Sequence, residues 1–192
     1  MKKSTLSILT STILTFAVSC SSIKIDSNTT KIKLELGSIY NFTKYEAEIK
    51  SIDKTRDYFV DVSEDIYPYI KNHTFEIPKE FISEPETGIQ LLKRYYYTKD
   101  GSVKMISYEW SESSRENNSN KKFKKIFELL ETEISKQLGK SSFKNLESKN
   151  VNDYDTYRDD IKWENSELKA YMYRFGDNEN RHNEINMVIY IN

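Results

Sequence analysis

The sequence predicts an α+β protein in which antiparallel β-sheet is packed by helices. Three observations carry that expectation. Apolar residues recur at three- and four-residue steps between Lys121 and Leu138; two alternating stretches flank Asp100-Gly101; and a second alternating pair, Leu168 to Phe175 and Glu184 to Ile191, closes the chain. A period near 3.6 lays one stripe along a helix, whereas a period of two lays one face along a strand.

Taken in order, the first legible element is a strand at Lys31 to Leu36, where Ile32, Leu34 and Leu36 alternate. Phe42, Tyr45, Ile49 and Ile52 then keep helical spacing, and Tyr58 to Val62 reads as a strand. Ser63 to Glu86 carries no pattern that places it. Leu91 to Thr98 and Val103 to Trp110 form a hairpin about Asp100-Gly101, a dipeptide that tolerates the positive φ of a tight turn. With that turn setting the register, Leu91, Tyr95, Tyr97, Ile106, Tyr108 and Trp110 share a core face. Arg94, Tyr96, Met105, Ser107 and Glu109 share the opposite face, a half-wet mixture in which Arg94, Tyr96 and Met105 are the candidate contacts for a partner.

The helix from Lys121 to Leu138 carries Phe123, Ile126, Phe127, Leu130, Ile134 and Leu138 on one stripe. Asn118, Ser119 or Asn120 can cap its start and Gly139 its end. Lys121, Lys122, Lys124 and Lys125 crowd its first turns, against the helix dipole. They suit a solvated face, or contact with lipid head groups or an acidic partner. Tyr157 to Trp163 is a strand leading to the last hairpin, whose polar loop spans Gly176 to Asn183.

The two hairpins resemble each other. Leu92-Lys93-Arg94-Tyr95-Tyr96-Tyr97 matches Leu168-Lys169-Ala170-Tyr171-Met172-Tyr173, and Met105-Ile106-Ser107-Tyr108 matches Met187-Val188-Ile189-Tyr190. These matches raise the expectation of two tandem α-β-β-β halves, 31–115 and 116–192, in a two-layer arrangement within a single 31–192 domain. That architecture resembles the folds of small secreted inhibitor proteins and of some envelope-assembly lipoproteins, which act by binding other proteins.

At the amino end, Lys2 and Lys3 precede a mostly apolar run from Leu6 to Val18, diluted by Ser7, Thr10, Ser11, Thr12 and Thr15. A bilayer span needs roughly 20 apolar residues, so this is an export signal. Ala17-Val18-Ser19-Cys20 resembles the lipobox of bacterial lipoproteins, with Ala17 where leucine is commoner. The resemblance implies a leader over 1–19, acylation of Cys20 and a lipidated tether over 20–30. Ala17 and Ser19 also fit the small-x-small rule of ordinary signal peptidase, which would leave a soluble secreted protein. Cys20 is the chain's one cysteine, so it has no disulfide partner within the chain. Ser21 in place of aspartate points, by the same resemblance, to the outer membrane, and the lack of an acidic run after Cys20 to its periplasmic leaflet; in a single-membrane bacterium the anchor would face outward.

Two of the 29 basic residues fall in the leader, leaving 27 against 30 acidic ones and a net charge of −3. That balance does not suit a nucleic-acid binder. No G-x-S-x-G, H-E-x-x-H, P-loop or dinucleotide fingerprint occurs, and no cofactor is implied. His73 and His182 sit in polar surroundings typical of loops. Asp153, Asp155, Asp159 and Asp160 have carboxylate spacing that could hold a hard cation, but without the turn glycine and distal glutamate of an EF-hand. Asp177, Asn178 and Glu179 are similar, and no metal site is expected. The expected function is therefore noncatalytic: an anchored envelope protein holding a protein partner, of inhibitor, immunity or assembly type. The alternatives are an envelope hydrolase and a glycan- or lipid-binding lipoprotein.

Overall fold

The computed structural model describes residues 25–113, 119–147, 156–177 and 182–191. The elements run α1 (Ile39–Glu48), β1 (Ile52–Asp53), a 3-10 turn (Ile70–Asn72), β2 (Lys79–Glu86), β3 (Ile89–Tyr97), β4 (Val103–Glu112), α2 (Ser119–Leu138), β5 (Phe143–Glu147), β6 (Thr156–Glu164), β7 (Leu168–Asp177) and β8 (Asn183–Ile191). The strands form one eight-stranded sheet in the order β1-β2-β3-β4-β8-β7-β6-β5. Every pairing is antiparallel. Two meanders meet where β4 pairs with β8, and α2 carries the chain from the middle of the sheet to its β5 edge.

Local chemistry accounts for the element ends. Ser38 caps α1, its hydroxyl accepting from the Tyr40 amide at 3.2 Å. Lys50 closes that helix at a φ of 59°, letting the Ser51 amide reach back to the Glu46 carbonyl at 2.9 Å. Gly139, at a φ of 86°, ends α2 as its type allows. The Asp100-Gly101 turn sets the β3–β4 register as expected, opposing Leu91 to Trp110 and Tyr95 to Ile106.

One side of the sheet carries the main core. Leu91, Tyr95, Ile106, Tyr108, Trp110, Ile161, Trp163, Met172, Met187 and Ile189 pack in one cluster with Phe42 of α1 and the predicted α2 stripe. Each large side chain buried there contributes about 1.5–3 kcal/mol. Among the described residues no helix is long and apolar enough to cross a membrane.

Four expectations change. Residues 31–36 form no strand; Leu34 is buried, while the Tyr108 hydroxyl binds both the amide and the carbonyl of Lys33, at 3.1 and 3.0 Å. Their alternation records packing on the core edge and not membership of a ladder. Tyr58 to Val62 is not a strand either. The unplaced segment supplies β2, whose register shifts between Ser83 and Glu86, around Pro85, where a missing amide is tolerated. Each helix is followed by four strands and not three, since the short edge strands β1 and β5 join the sheet.

The fourth change concerns the matched peptides. Lys93 pairs with Tyr108 on the helix side, but its match Lys169 pairs with Tyr190 on the other side. Ile106 lies on the helix side, and its match Val188 lies opposite. A one-residue offset inverts every side chain of a strand, so these likenesses come from alternation itself.

Candidate functional site

The side of the sheet away from the helices is treated differently in its two halves. Over β3, β4 and the end of β8 it is roofed by the chain itself. Tyr67, with Val62, Ile66, Tyr69 and Phe75 around it, packs on Tyr96, Met105, Val188 and Tyr190 as a second apolar cluster. The rings of Tyr67 and Tyr190 lie 4.9 Å apart, and Phe75 meets Tyr96 edge-on at 6.2 Å.

That roof relocates the expected contact surface. Tyr96 is 2% exposed and Met105 0%. Arg94 is largely buried too, pairing with Glu109 at 3.0 Å and lying 3.7 Å from Glu80. These residues do share a face, as the hairpin register requires, but Tyr96 and Met105 pack under the protein's own segment and Arg94 pairs with carboxylates of the neighbouring strands. The aromatic residues that cover them follow no regular period, so no sequence signal marks the cover.

Over β6 and most of β7 the same side is only partly covered: Tyr171 packs against the edge of the roof cluster, and Tyr173 and Phe175 are half-buried. Alternation along β7 sets Tyr171, Tyr173 and Phe175 in a row, with centroid separations of 5.4 and 6.3 Å. Cations from β6 lie over these rings: the Arg158 guanidinium is 4.6 Å from the Tyr173 centroid and the Lys162 ammonium 4.8 Å from that of Tyr171. Lys162 also reaches to 5.8 Å from Phe143 of β5, a phenyl ring that is 48% exposed. Asp160 fixes the centre, accepting from the Tyr171 hydroxyl and from Arg158 at 3.1 Å, while Arg158 donates to Tyr171 at 2.9 Å. Burial and then the bond to Asp160 push the Tyr171 phenol up to about 12, so it stays a neutral donor near pH 7. Glu184 and Asn186 of β8 border the row. The result is a stiff aromatic strip with cations held above it.

No family model matches the chain, and no curated protein or solved structure matches it.

The remaining candidates have local explanations. Asp159 is buried in an ion pair with Arg174 on the helix side, and Asp160 belongs to the strip. Among the described residues no group of acidic, histidine or cysteine side chains is placed to hold a metal. His73 packs against Tyr67 and Phe75, and burial lowers its pKa. His182 lies 3.3 Å from Glu184 and 5.1 Å from the Phe175 ring. Of the α2 lysines, Lys122 binds the Thr87 carbonyl at 2.8 Å and Glu86 at 3.2 Å, while Lys121, Lys124 and Lys125 are exposed. Asp177 is buried at the end of β7. Cys20, Asp153, Asp155, Asn178 and Glu179 lie outside the described residues.

Proposed function

We propose that this protein is a lipid-anchored component of a bacterial envelope that binds a protein partner through the half-exposed strip on β6 and β7, without catalysing a reaction. The observation that carries this reading is the row Tyr171, Tyr173 and Phe175 with Arg158 and Lys162 above it. Tyrosine and arginine are the residue types that dominate binding energy at protein interfaces, and a row braced by β-sheet is ordered before it binds.

In this reading the two helix-plus-four-strand units are tandem halves of one two-layer scaffold. The 54–78 segment occupies the outer face of one half, and the other half presents its face to a partner. Acylated Cys20 holds the domain at the outer membrane on the periplasmic side. Ile25 and Thr29 pack on the domain, which leaves 20–24 of the expected 20–30 tether free to extend, about 17 Å at full stretch, and keeps the partner among envelope proteins.

The test is a crosslinked pull-down of the membrane-anchored protein, comparing wild type with Tyr173→Ala and Arg158→Ala. A stoichiometric protein recovered with wild type and lost from both variants supports the reading. Recovery of glycan or lipid alone, or equal recovery from all three, overturns it. Cys20→Ser followed by cell fractionation tests the anchor, and unchanged membrane attachment would refute acylation there.

A further inference from the structure

A second site lies across the sheet from the strip. Between α1, the 28–31 segment and the β1–β3 edge is a cavity of about 560 Å³, within the ~300–1,000 Å³ range of small-molecule sites. Its walls divide by chemistry. Ile49, Pro85 and Leu91 are its apolar lining residues and Lys31, Lys50 and Lys93 its basic ones, while Ile52 and Ile82, whose register turns their side chains to the opposite face of the sheet, bound it at the strand edge. Ile49 is 43% exposed, so it offers uncovered hydrocarbon at the cavity rim.

The charges set the class of ligand. Lys93 is 5% exposed, and both oxygens of Glu46 hold its ammonium, at 2.8 and 2.6 Å, leaving a third N–H. Glu46 cancels that charge from behind the wall. Glu84, whose Oε1 accepts from the Gly88 amide at 3.3 Å and the Ser113 hydroxyl at 3.1 Å, cancels one of the other two. Lys31 and Lys50 make no ion pair among the described residues. One positive charge is left beside an apolar wall, and Glu84 is the one carboxylate lining the cavity, which therefore lacks the facing pair of a hydrolase.

We infer that this cavity binds a small amphipathic monoanion, a carboxylate on an aliphatic body, with the carboxylate towards Lys31, Lys50 and Lys93 and the hydrocarbon towards Ile49, Pro85 and Leu91. The site is independent of the protein-binding strip. Octanoate is a suitable probe, titrated calorimetrically into the whole chain alongside octanol and octylammonium. Octanoate binds saturably below about 1 mM, and each of the other two binds at least tenfold more weakly. Lys50→Asn, which suits the positive φ at that position, combined with Lys31→Gln weakens octanoate about tenfold or more; Ile49→Gln at the exposed end of α1 weakens it similarly. Equal affinity for octanoate and octylammonium, no saturable binding below about 1 mM, or unchanged affinity in folded variants would overturn the inference. The ligand series uses the wild-type chain, so it decides the matter even where a variant fails to fold.

Discussion

Glu46 of α1 and Lys93 of β3 form a buried ion pair whose two contacts, at 2.8 and 2.6 Å, bind the helix to the sheet. The Tyr95 hydroxyl at 2.5 Å and the Ser51 hydroxyl at 2.6 Å complete the shell of the carboxylate. Burial pulls the Lys93 ammonium below the usual lysine range despite that partner, so desolvation outweighs attraction. Glu46→Leu should cost about 3–5 kcal/mol in urea unfolding, because it strands a buried cation. Lys93→Met added to it should recover part of the loss, and a double variant as weak as the two single losses combined would rule out that coupling.

Gly176 is held by close approach. A Cβ there would lie 2.6 Å from the His182 carbonyl oxygen and 2.6 Å from the Tyr157 hydroxyl. The first is backbone just before β8, accepting from the Asp177 amide at 3.1 Å, and the second is bonded to Asn183, so neither yields freely. Gly176→Ala is expected to destabilise by about 1–3 kcal/mol. An unchanged thermal midpoint would show that the hairpin end can shift.

Which parts of this fold are legible depends on whether burial follows a period. The α2 stripe and both hairpins are legible because their buried residues repeat at helical or strand spacing, and the ends of β3, β4, β6, β7 and β8 fall within two residues of the expected ones. The roof is not, because Tyr67, Tyr69 and Phe75 are placed by tertiary contact with Tyr96 and Tyr190. β5 leaves Phe143 and Leu146 about half exposed, so no buried alternation announces it. For the same reason the strip was hidden. Tyr171 and Tyr173 appear in the sequence only as part of a hairpin, and their partial exposure follows from where the roof segment ends, against Tyr171.

Trp110 ties the amino-terminal segment to the sheet. Its indole N–H donates to the Thr29 carbonyl at 2.8 Å, and the ring is fully buried beside Tyr108, at a centroid separation of 5.8 Å. Trp110→Phe keeps most of the apolar contact but leaves that carbonyl without its donor, at a cost of about 1–3 kcal/mol. The loosened segment also forms one wall of the cavity, through Asn28 and Lys31. Limited proteolysis should therefore cut faster between residues 25 and 36 than in wild type, and an unaltered cleavage pattern would mean that Tyr108 and Lys33 suffice to hold it.

The buried phenols make stability fall in alkali. Burial is the first cause that pushes Tyr67, Tyr96, Tyr157 and Tyr171 each up to about 12, from an ordinary value of 10.0. The folded state therefore holds these protons more tightly than the unfolded chain does. A raised folded pKa contributes stability that is fully present below about pH 10 and is lost as pH rises through about 12. Tyr67 and Tyr96 lie in the roof cluster and Tyr157 and Tyr171 in β6 and β7, so both parts of the sheet weaken in the same window. The urea midpoint should decline steadily from pH 10 to 12, with tyrosinate absorbance from these residues appearing only as structure is lost. Tyr67→Phe should flatten that decline, because the Tyr67 hydroxyl is buried with no hydrogen-bond partner and its removal leaves no group unpaired. A midpoint that stays level across the window would refute the account.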